Sequence, residues 1–153
     1  MSQRGDGRTP VGEPIVPETL YELRFISDLE MDPTGRYAAF RMHRARRSEN
    51  DYESHIWLAR TDGSVTQMTA GEGEGTFCWL RDGSGMVFAA DRGARDRELR
   101  DRGVEFTQFH YLSMGGGEAV PIFRVDYSVS EVHHLDGGRF LVRATEELAR
   151  TTE

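Results

Sequence analysis

Three residues near the end of the chain have side chains that commonly bind metal ions: Glu131, His133 and Asp136. Glu131 and His133 are two positions apart, so a strand would place both on one face, with Asp136 in the turn that follows. Two or three ligands from a single hairpin rarely close a coordination sphere. We therefore interpret them as exposed polar residues and predict no metal site and no cofactor.

Four arginines in one short stretch could bind a phosphate or a peptide carboxylate, because guanidinium groups form paired hydrogen bonds with such anions. They are Arg41, Arg44, Arg46 and Arg47. Three carboxylates follow at once and can neutralise them: Glu49, Asp51 and Glu53. We therefore predict a solvated loop here and no anion-binding site.

The aspartates Asp32, Asp82 and Asp136 could be read as catalytic carboxylates. Each begins a short segment rich in turn-forming residues: DPTG, DGSG and DGG. An aspartate side chain readily accepts hydrogen bonds from the backbone N–H groups of its own turn, and that role accounts for all three. The sequence predicts turns at these places and no catalytic residue among them.

Cys78, the one cysteine of the chain, lies between Phe77 and Trp79. A single cysteine cannot form an internal disulfide bond, and the sequence offers no cue that would lower the pKa of its thiol. We predict a buried, inert thiol.

The chain has 153 residues and a formal net charge of -7, and all 19 of its basic residues are arginine. A negative field repels nucleic acid and anionic membranes, so we expect neither as a partner. The N-terminus has no apolar run typical of a signal peptide, and no segment approaches the ~20 apolar residues of a membrane span. We therefore expect a cytoplasmic protein.

Two hairpin-like stretches, 56–69 and 110–123, superpose without a gap in their order of apolar and turn positions. Such a repeat is typical of stacked β-sheets. Together with the three turns, the apolar pattern predicts two four-stranded sheets and half of a third. The predicted strands are 26–31, 37–40, 55–59, 65–68, 76–80, 86–90, 106–112, 119–123, 127–135 and 139–144. Pro121 is expected on an edge strand, where a missing N–H group is tolerated.

Four further predictions follow from the sequence: three concern the segments around these strands, and one concerns the core. Residues 1–17 are rich in glycine and proline and are expected to form a flexible tail. Residues 18–25 follow with the apolar spacing of a short helix. Residues 43–50 and 91–103 are expected to be solvated insertions between the second and third strands of a sheet, with Asp96 and Arg100 at the helical i,i+4 spacing. Five aromatic residues are predicted to pack in the core: Phe40, Trp57, Trp79, Phe88 and Tyr111.

This strand order resembles the propeller repeats of TolB and of prolyl-oligopeptidase-type proteins. The opening stretch LYELRFISDLEMDPTGRYAAF, followed by ENDYESHIWLARTDGSVTQMT, is similar to the start of the propeller in family S9 serine peptidases of the acylaminoacyl-peptidase and dipeptidyl-peptidase-like branch. The resemblance covers about 17–143, and His133-His134-Leu135 departs from the Trp-Ser-Pro that related repeats usually have.

The resemblance implies an all-β fold, a partial β-propeller of about two and a half four-stranded antiparallel blades with a short N-terminal helix. The implied domain spans 18–153, with blades at about 26–69 and 76–123 and half a blade at about 127–144. In that family an α/β-hydrolase domain after the propeller carries a Ser-Asp-His triad, and the propeller admits only short or unstructured peptides.

No serine of this chain lies in a G-x-S-x-G pattern, so no catalytic residue can be carried over from the family. The expected function is that of a non-catalytic propeller portion, which gates peptide access and packs on a hydrolase domain; a full-length parent would be a serine peptidase. Two alternatives stay open. One is a TolB-like protein-binding module that forms homo-oligomers through its open blade edges. The other is a truncated product without independent function.

Overall fold

The computed structural model describes residues 21–46, 51–71 and 73–146. In these residues ten strands form three antiparallel sheets, which follow one another along the chain. In each sheet the strands lie side by side in chain order, because each strand is joined to the next by a turn or a short insertion. The first strands of the three sheets, β1, β5 and β9, lie next to one another on the inner side.

The first sheet contains four strands: β1 (Arg24–Met31), β2 (Tyr37–Arg46), β3 (Asp51–Arg60) and β4 (Val65–Gln67). Asp32 closes the first turn by accepting hydrogen bonds from the N–H groups of Thr34, Arg36 and Tyr37 at 3.0, 2.8 and 2.7 Å. Gly35 completes this turn with a φ of 71°, a conformation that glycine adopts without steric cost. The predicted role of Asp32 is confirmed.

The second sheet also contains four strands: β5 (Glu74–Trp79), β6 (Gly85–Ala90), β7 (Thr107–Ser113) and β8 (Val120–Val125). Asp82 closes the β5–β6 turn through the N–H and hydroxyl groups of Ser84, as predicted. β8 is the outer strand, and Pro121 lies opposite His110 at a shift in the register. The edge position predicted for Pro121 is confirmed.

Helix α1 (Ala94–Asp101) occupies the insertion between β6 and β7. None of its residues is buried, so it is the solvated insertion that the sequence predicted. Each residue of the predicted Asp96–Arg100 pair has a different partner: Arg100 contacts Asp91 at 2.8 Å, and Asp96 contacts Arg124 at 2.5 Å. Among the described residues, no helix is long and apolar enough to cross a membrane.

The third sheet pairs β9 (Ser128–His134) with β10 (Phe140–Thr145), joined by a single 3-10 turn at Asp136–Gly138. The prediction that Asp136 binds its own turn through its side chain is wrong. Its carboxylate instead accepts a hydrogen bond of 3.0 Å from Arg81 Nη1, while its backbone carbonyl accepts one from Arg139. Asp136 therefore joins the β5–β6 turn to the third sheet.

The core consists of two apolar layers, one on each side of the second sheet. The layer against the first sheet contains Ala39, Ile56, Leu58, Phe77, Trp79, Met86, Phe88, Ala90 and Leu112. The layer against the third sheet contains Cys78, Val87, Ala89, Phe109 and Val132. All six residues of β6 are buried, because successive side chains of a strand point to opposite faces and both faces are covered. Burial of Phe88 alone stabilises the fold by roughly 2–3 kcal/mol.

The aromatic residues predicted for the core divide into two groups. Phe40, Trp79 and Phe88 are buried, as predicted. Trp57 and Tyr111 are only partly buried. Trp57 alternates along β3 with Ile56 and Leu58, so it points to the face of the first sheet that is turned away from the second sheet.

Two other predictions are corrected by the extent of the first hairpin. Residues 43–46 and 51–53 belong to β2 and β3, which pair without interruption from Tyr37 with Arg60 to Arg46 with Asp51, so they form an extended hairpin and no loop. The helix expected at 18–25 ends earlier than predicted: Tyr21 has a 3-10 helical conformation, whereas Arg24 and Phe25 pair with β2 as part of β1. Residues 18–20, the tail at 1–17, and Arg47 and Glu49 lie outside the described residues.

Candidate functional site

A β-bulge interrupts the first strand of each of the three sheets. The pairing register shifts between Ser27 and Glu30 in β1 and between Glu74 and Phe77 in β5. In β9 it shifts at Ser130, opposite Arg143 and Ala144. A bulge adds an unpaired residue and changes the direction in which side chains point. The inner strands therefore deviate from regular pairing at similar positions.

The bulge residues converge on a groove of about 350 Å³ between the first strands, called the inner groove below. Asp28, Leu29, Thr76 and Ser130 come from the three bulges and line it. Beside them lie four residues that carry charge or can carry it: Glu30, Glu131, His133 and Arg143. The inner groove thus receives side chains from all three sheets.

Asp28 is held at the first bulge in an unusual backbone conformation. Its φ is 53°, a left-handed value that residues other than glycine seldom adopt. Arg41 Nη2 lies 2.6 Å from its carboxylate, and Arg41 Nη1 donates to the carbonyl of Glu74. Arg41 was predicted to lie in a solvated loop; it belongs to β2 and ties the first bulge to the start of β5.

Glu131 and His133 lie together, as their spacing predicted. His133 Nε2 is 4.0 Å from one carboxylate oxygen of Glu131, and Arg143 Nη2 is 2.8 Å from the other. Arg143 also donates to the hydroxyl of Ser130. Asp136 is engaged elsewhere with Arg81, and the described residues contain no group of three side chains arranged to hold a metal ion.

Glu30 lies half-buried between these charges. Burial raises the pKa of its carboxyl group above the ordinary value, and the nearby charge of Asp28 raises it further, while His133 lowers it. The indole N–H of Trp79 donates to the backbone carbonyl of Glu30, which fixes the strand beneath the groove. Sequence reasoning missed Glu30, although the adjacent polar pair Ser27-Asp28 interrupts the alternation of β1 and could have indicated a bulge.

Ser27 and His43 form a contact that resembles a nucleophile with its base. Ser27 Oγ is 2.8 Å from His43 Nε2, and burial together with the charge of Arg41 lowers the pKa of the imidazole. A catalytic triad needs a carboxylate that orients the other ring nitrogen. The carboxylate nearby, that of Asp28, contacts Ser27 and Arg41 instead. The pair has the geometry of a strand-to-strand hydrogen bond.

Cys78 lies in the core behind the groove. It is buried, and this burial raises the pKa of its thiol to about 12, with Glu30 contributing to the shift. A protonated thiol is a poor nucleophile, so the predicted inert character of Cys78 agrees with its surroundings. The inner groove therefore presents paired charges and small polar groups, and its described lining offers no assembled nucleophile.

The comparisons with known proteins point to peptidases, and one of the solved structures is a β-propeller domain. No protein-family model matches the chain. The uncharacterized peptidase YuxL of Bacillus subtilis (strain 168) is 30% identical over 121 residues, which are 76% of this chain and 17% of YuxL.

Solved structures give the fold. The acylaminoacyl peptidase of Pyrococcus horikoshii matches 88% of this chain with a TM-score of 0.62 and 15% identity. An acylaminoacyl peptidase in complex with Z-Gly-Gly-Phe-chloromethyl ketone matches the same share with a TM-score of 0.63 and 16% identity. The β-propeller domain of the trilobed protease from Pyrococcus furiosus matches 78% with a TM-score of 0.56 and 13% identity.

The chain covers 20% of each acylaminoacyl peptidase and 34% of the trilobed-protease domain, so it spans a fifth to a third of the solved chains it matches. The expected resemblance to the propeller segment of these peptidases is confirmed. The fold is that of a partial β-propeller, in which each sheet is a blade and the first strands line the inner side.

Proposed function

We propose that this chain is the front part of the propeller of an S9-like serine peptidase and that its inner groove contacts peptides on their way to a catalytic domain. The proposed domain spans 18–153, with blades at about 26–69 and 76–123 and half a blade at about 127–144. The catalytic step belongs to an α/β-hydrolase domain outside this chain. The propeller portion acts by gating.

The observation that carries the proposal is the convergence of three bulges on one groove. Bulges occur preferentially beside functional sites, where they redirect side chains. Here they direct Asp28, Thr76 and Ser130 into the space between the inner strands. An extended peptide presents both backbone polar groups and side chains. The carboxylates of Asp28 and Glu131 already have charged partners, so they can contact the peptide while no charge is left unpaired.

The first experiment is to sequence the native gene beyond codon 153 and translate it. We expect further Asp-x-x-Gly turns followed by a G-x-S-x-G pattern on a strand-to-helix turn. A continuing frame that lacks this pattern would contradict the proposal.

A variant of the whole protein then tests gating. Leu29 is 67% exposed and borders the inner groove, so Leu29→Trp narrows the groove without disturbing the core. We expect kcat/KM for a ten-residue peptide to fall about tenfold, equivalent to roughly 1.4 kcal/mol, while that for a single-residue chromogenic substrate stays unchanged. Val65→Trp, at an exposed position on β4, is the matched control. Equal losses for both substrates would count against gating.

A second candidate function is a TolB-like protein-binding module that associates with itself through its open blade edges. The exposed Leu141 on β10 favours it, because β10 is the outer strand of the third sheet in the described part of the chain. This candidate predicts a discrete oligomer in sedimentation velocity. A folded species that stays monomeric at all concentrations would exclude it.

A further inference from the structure

The first sheet carries a row of charged side chains on the face that is turned away from the second sheet. Arg24 of β1 lies directly opposite Arg44 of β2, and Arg44 lies directly opposite Glu53 of β3. These side chains share a face with Trp57, because Glu53 and Trp57 alternate along β3 with buried residues. Directly opposite residues have Cβ atoms roughly 4.5–5.5 Å apart. Two guanidinium groups therefore start side by side on this face.

The two arginines of this row have no acidic partner in the described part of the chain. The predicted neutralisation by acidic residues that follow is found at Arg46, which is paired with Asp51, whereas Arg41 is paired with Asp28. The side chains of the two row arginines and of Glu53 form no hydrogen bond or ion pair with the described residues. Like charges at directly opposite positions destabilise a sheet. An anion bound between the two guanidinium groups removes this repulsion.

The row borders a depression of about 190 Å³, which we call the outer depression. Its lining includes Arg24, Arg44, Glu53, His55 and Trp57. Guanidinium groups bind oxyanions with short, charge-assisted hydrogen bonds. The depression thus combines two guanidinium groups with an imidazole and an indole ring, and its volume has room for a tetrahedral oxyanion of five non-hydrogen atoms.

A buried carboxylate orients the imidazole ring of His55 at the wall of the outer depression. The side chain of Glu74 is fully buried, and its Oε2 lies 3.2 Å from His55 Nδ1. The other oxygen, Oε1, accepts hydrogen bonds from the N–H of Gly71 at 3.0 Å and from Arg92 Nη2 at 3.3 Å. An ionised carboxylate only accepts hydrogen bonds, so Nδ1 of His55 carries a proton. Its Nε2 forms no hydrogen bond with the described residues and is available to a ligand oxygen.

We propose that the outer depression binds a phosphate group through Arg24, Arg44 and His55. The three side chains come from three adjacent strands, and a phosphate has enough oxygen atoms to contact all of them, whereas a carboxylate has two. Inorganic phosphate and a phosphate ester share this chemistry, and the indole ring of Trp57 offers an ester with an aromatic group a surface for stacking. The carboxylate of Glu53 repels the anion and limits its affinity. The proposed binding does not depend on the gating described above, because the outer depression shares no lining residue with the inner groove.

The test measures binding of inorganic phosphate to the 153-residue chain by isothermal titration calorimetry. We expect one saturable site with a Kd of about 1 mM or below. Arg44→Gln should weaken binding about tenfold, because a charge-assisted hydrogen bond is lost. Glu53→Gln should strengthen it about threefold, because a repelling charge is removed. Arg95→Gln is the matched control and should leave the Kd unchanged, since Arg95 is exposed on α1 and forms no ion pair with the described residues.

Two further ligands, phenyl phosphate and acetate, identify what the site recognises. Tighter binding of phenyl phosphate than of inorganic phosphate supports an ester whose ring stacks on Trp57, and equal or weaker binding supports free phosphate.

Four outcomes would overturn the proposal. They are the absence of saturable phosphate binding, acetate binding as tight as that of phosphate, equal losses in Arg44→Gln and Arg95→Gln, and binding to the 153-residue chain that is absent from the whole protein encoded by the gene. The last outcome would mean that another part of that protein covers the outer depression. Circular dichroism spectra that match the wild type show that the variants are folded.

Discussion

The buried carboxylate of Asp32 stabilises the first turn of its blade. It is 4% exposed and accepts three backbone N–H groups and the hydroxyl of Thr34. Burial alone raises the pKa of Asp32, but the hydrogen bonds from Thr34, Tyr37 and Arg36 outweigh it and hold that pKa below the ordinary value. The ionised form is therefore favoured in the folded state.

Asp32→Asn should lower the free energy of unfolding by about 2 kcal/mol at neutral pH, since a charged acceptor of several hydrogen bonds is lost. Because the folded-state pKa is depressed, this contribution is present above the unfolded value of about 3.9 and is lost as the pH falls below it. In urea unfolding at a series of pH values from 7 to 3, the difference in the free energy of unfolding between the wild type and Asp32→Asn should become smaller. The exposed Asp126→Asn is the control, and a gap that stays constant would contradict the role given to Asp32.

At the scale of elements, the turns were predictable and the bulges were not. DPTG and DGSG predict turns because the side-chain chemistry is local. A bulge depends on the partner strand, and in the sequence it leaves little beyond the broken alternation at Ser27 and Asp28. The extended hairpin was missed because its charged residues suggested a loop, whereas cross-strand pairs such as Arg46 with Asp51 accommodate those charges in a strand. The inner groove therefore could not be assembled from the sequence.

Gly85 at the start of β6 tests how closely the strands of the second sheet approach. A Cβ atom at this position would lie 2.5 Å from the carbonyl oxygen of Leu112 and would also meet the ring of Tyr111. Backbone has to move, so Gly85→Ala should cost roughly 1–3 kcal/mol in thermal or urea unfolding. Gly73→Ala has open space within 4 Å and should change stability by less than about 0.5 kcal/mol. Similar effects at both positions would show that the close approach is relaxed in solution.

At the scale of the whole molecule, the described third sheet ends in an outer strand, β10, whose Leu141 is 58% exposed. An uncovered edge strand pairs readily with other chains. Leu141→Lys should therefore reduce concentration-dependent association of the 153-residue chain, measured by light scattering. Val65→Lys on the short outer strand β4 should have little effect. Association that is unchanged in Leu141→Lys would place the contact elsewhere.

The double covering of the second sheet has a consequence for synthesis on the ribosome. When β5 to β8 have emerged, one face of the second sheet can pack at once on the completed first sheet. Val87, Ala89 and Phe109 on the other face stay uncovered until β9 and β10 emerge. The ribosome needs about 1–4 s for the 20 residues between Val125 and Thr145. During those seconds the apolar face of the second sheet is uncovered on the nascent chain, and it offers a binding surface to a ribosome-associated chaperone.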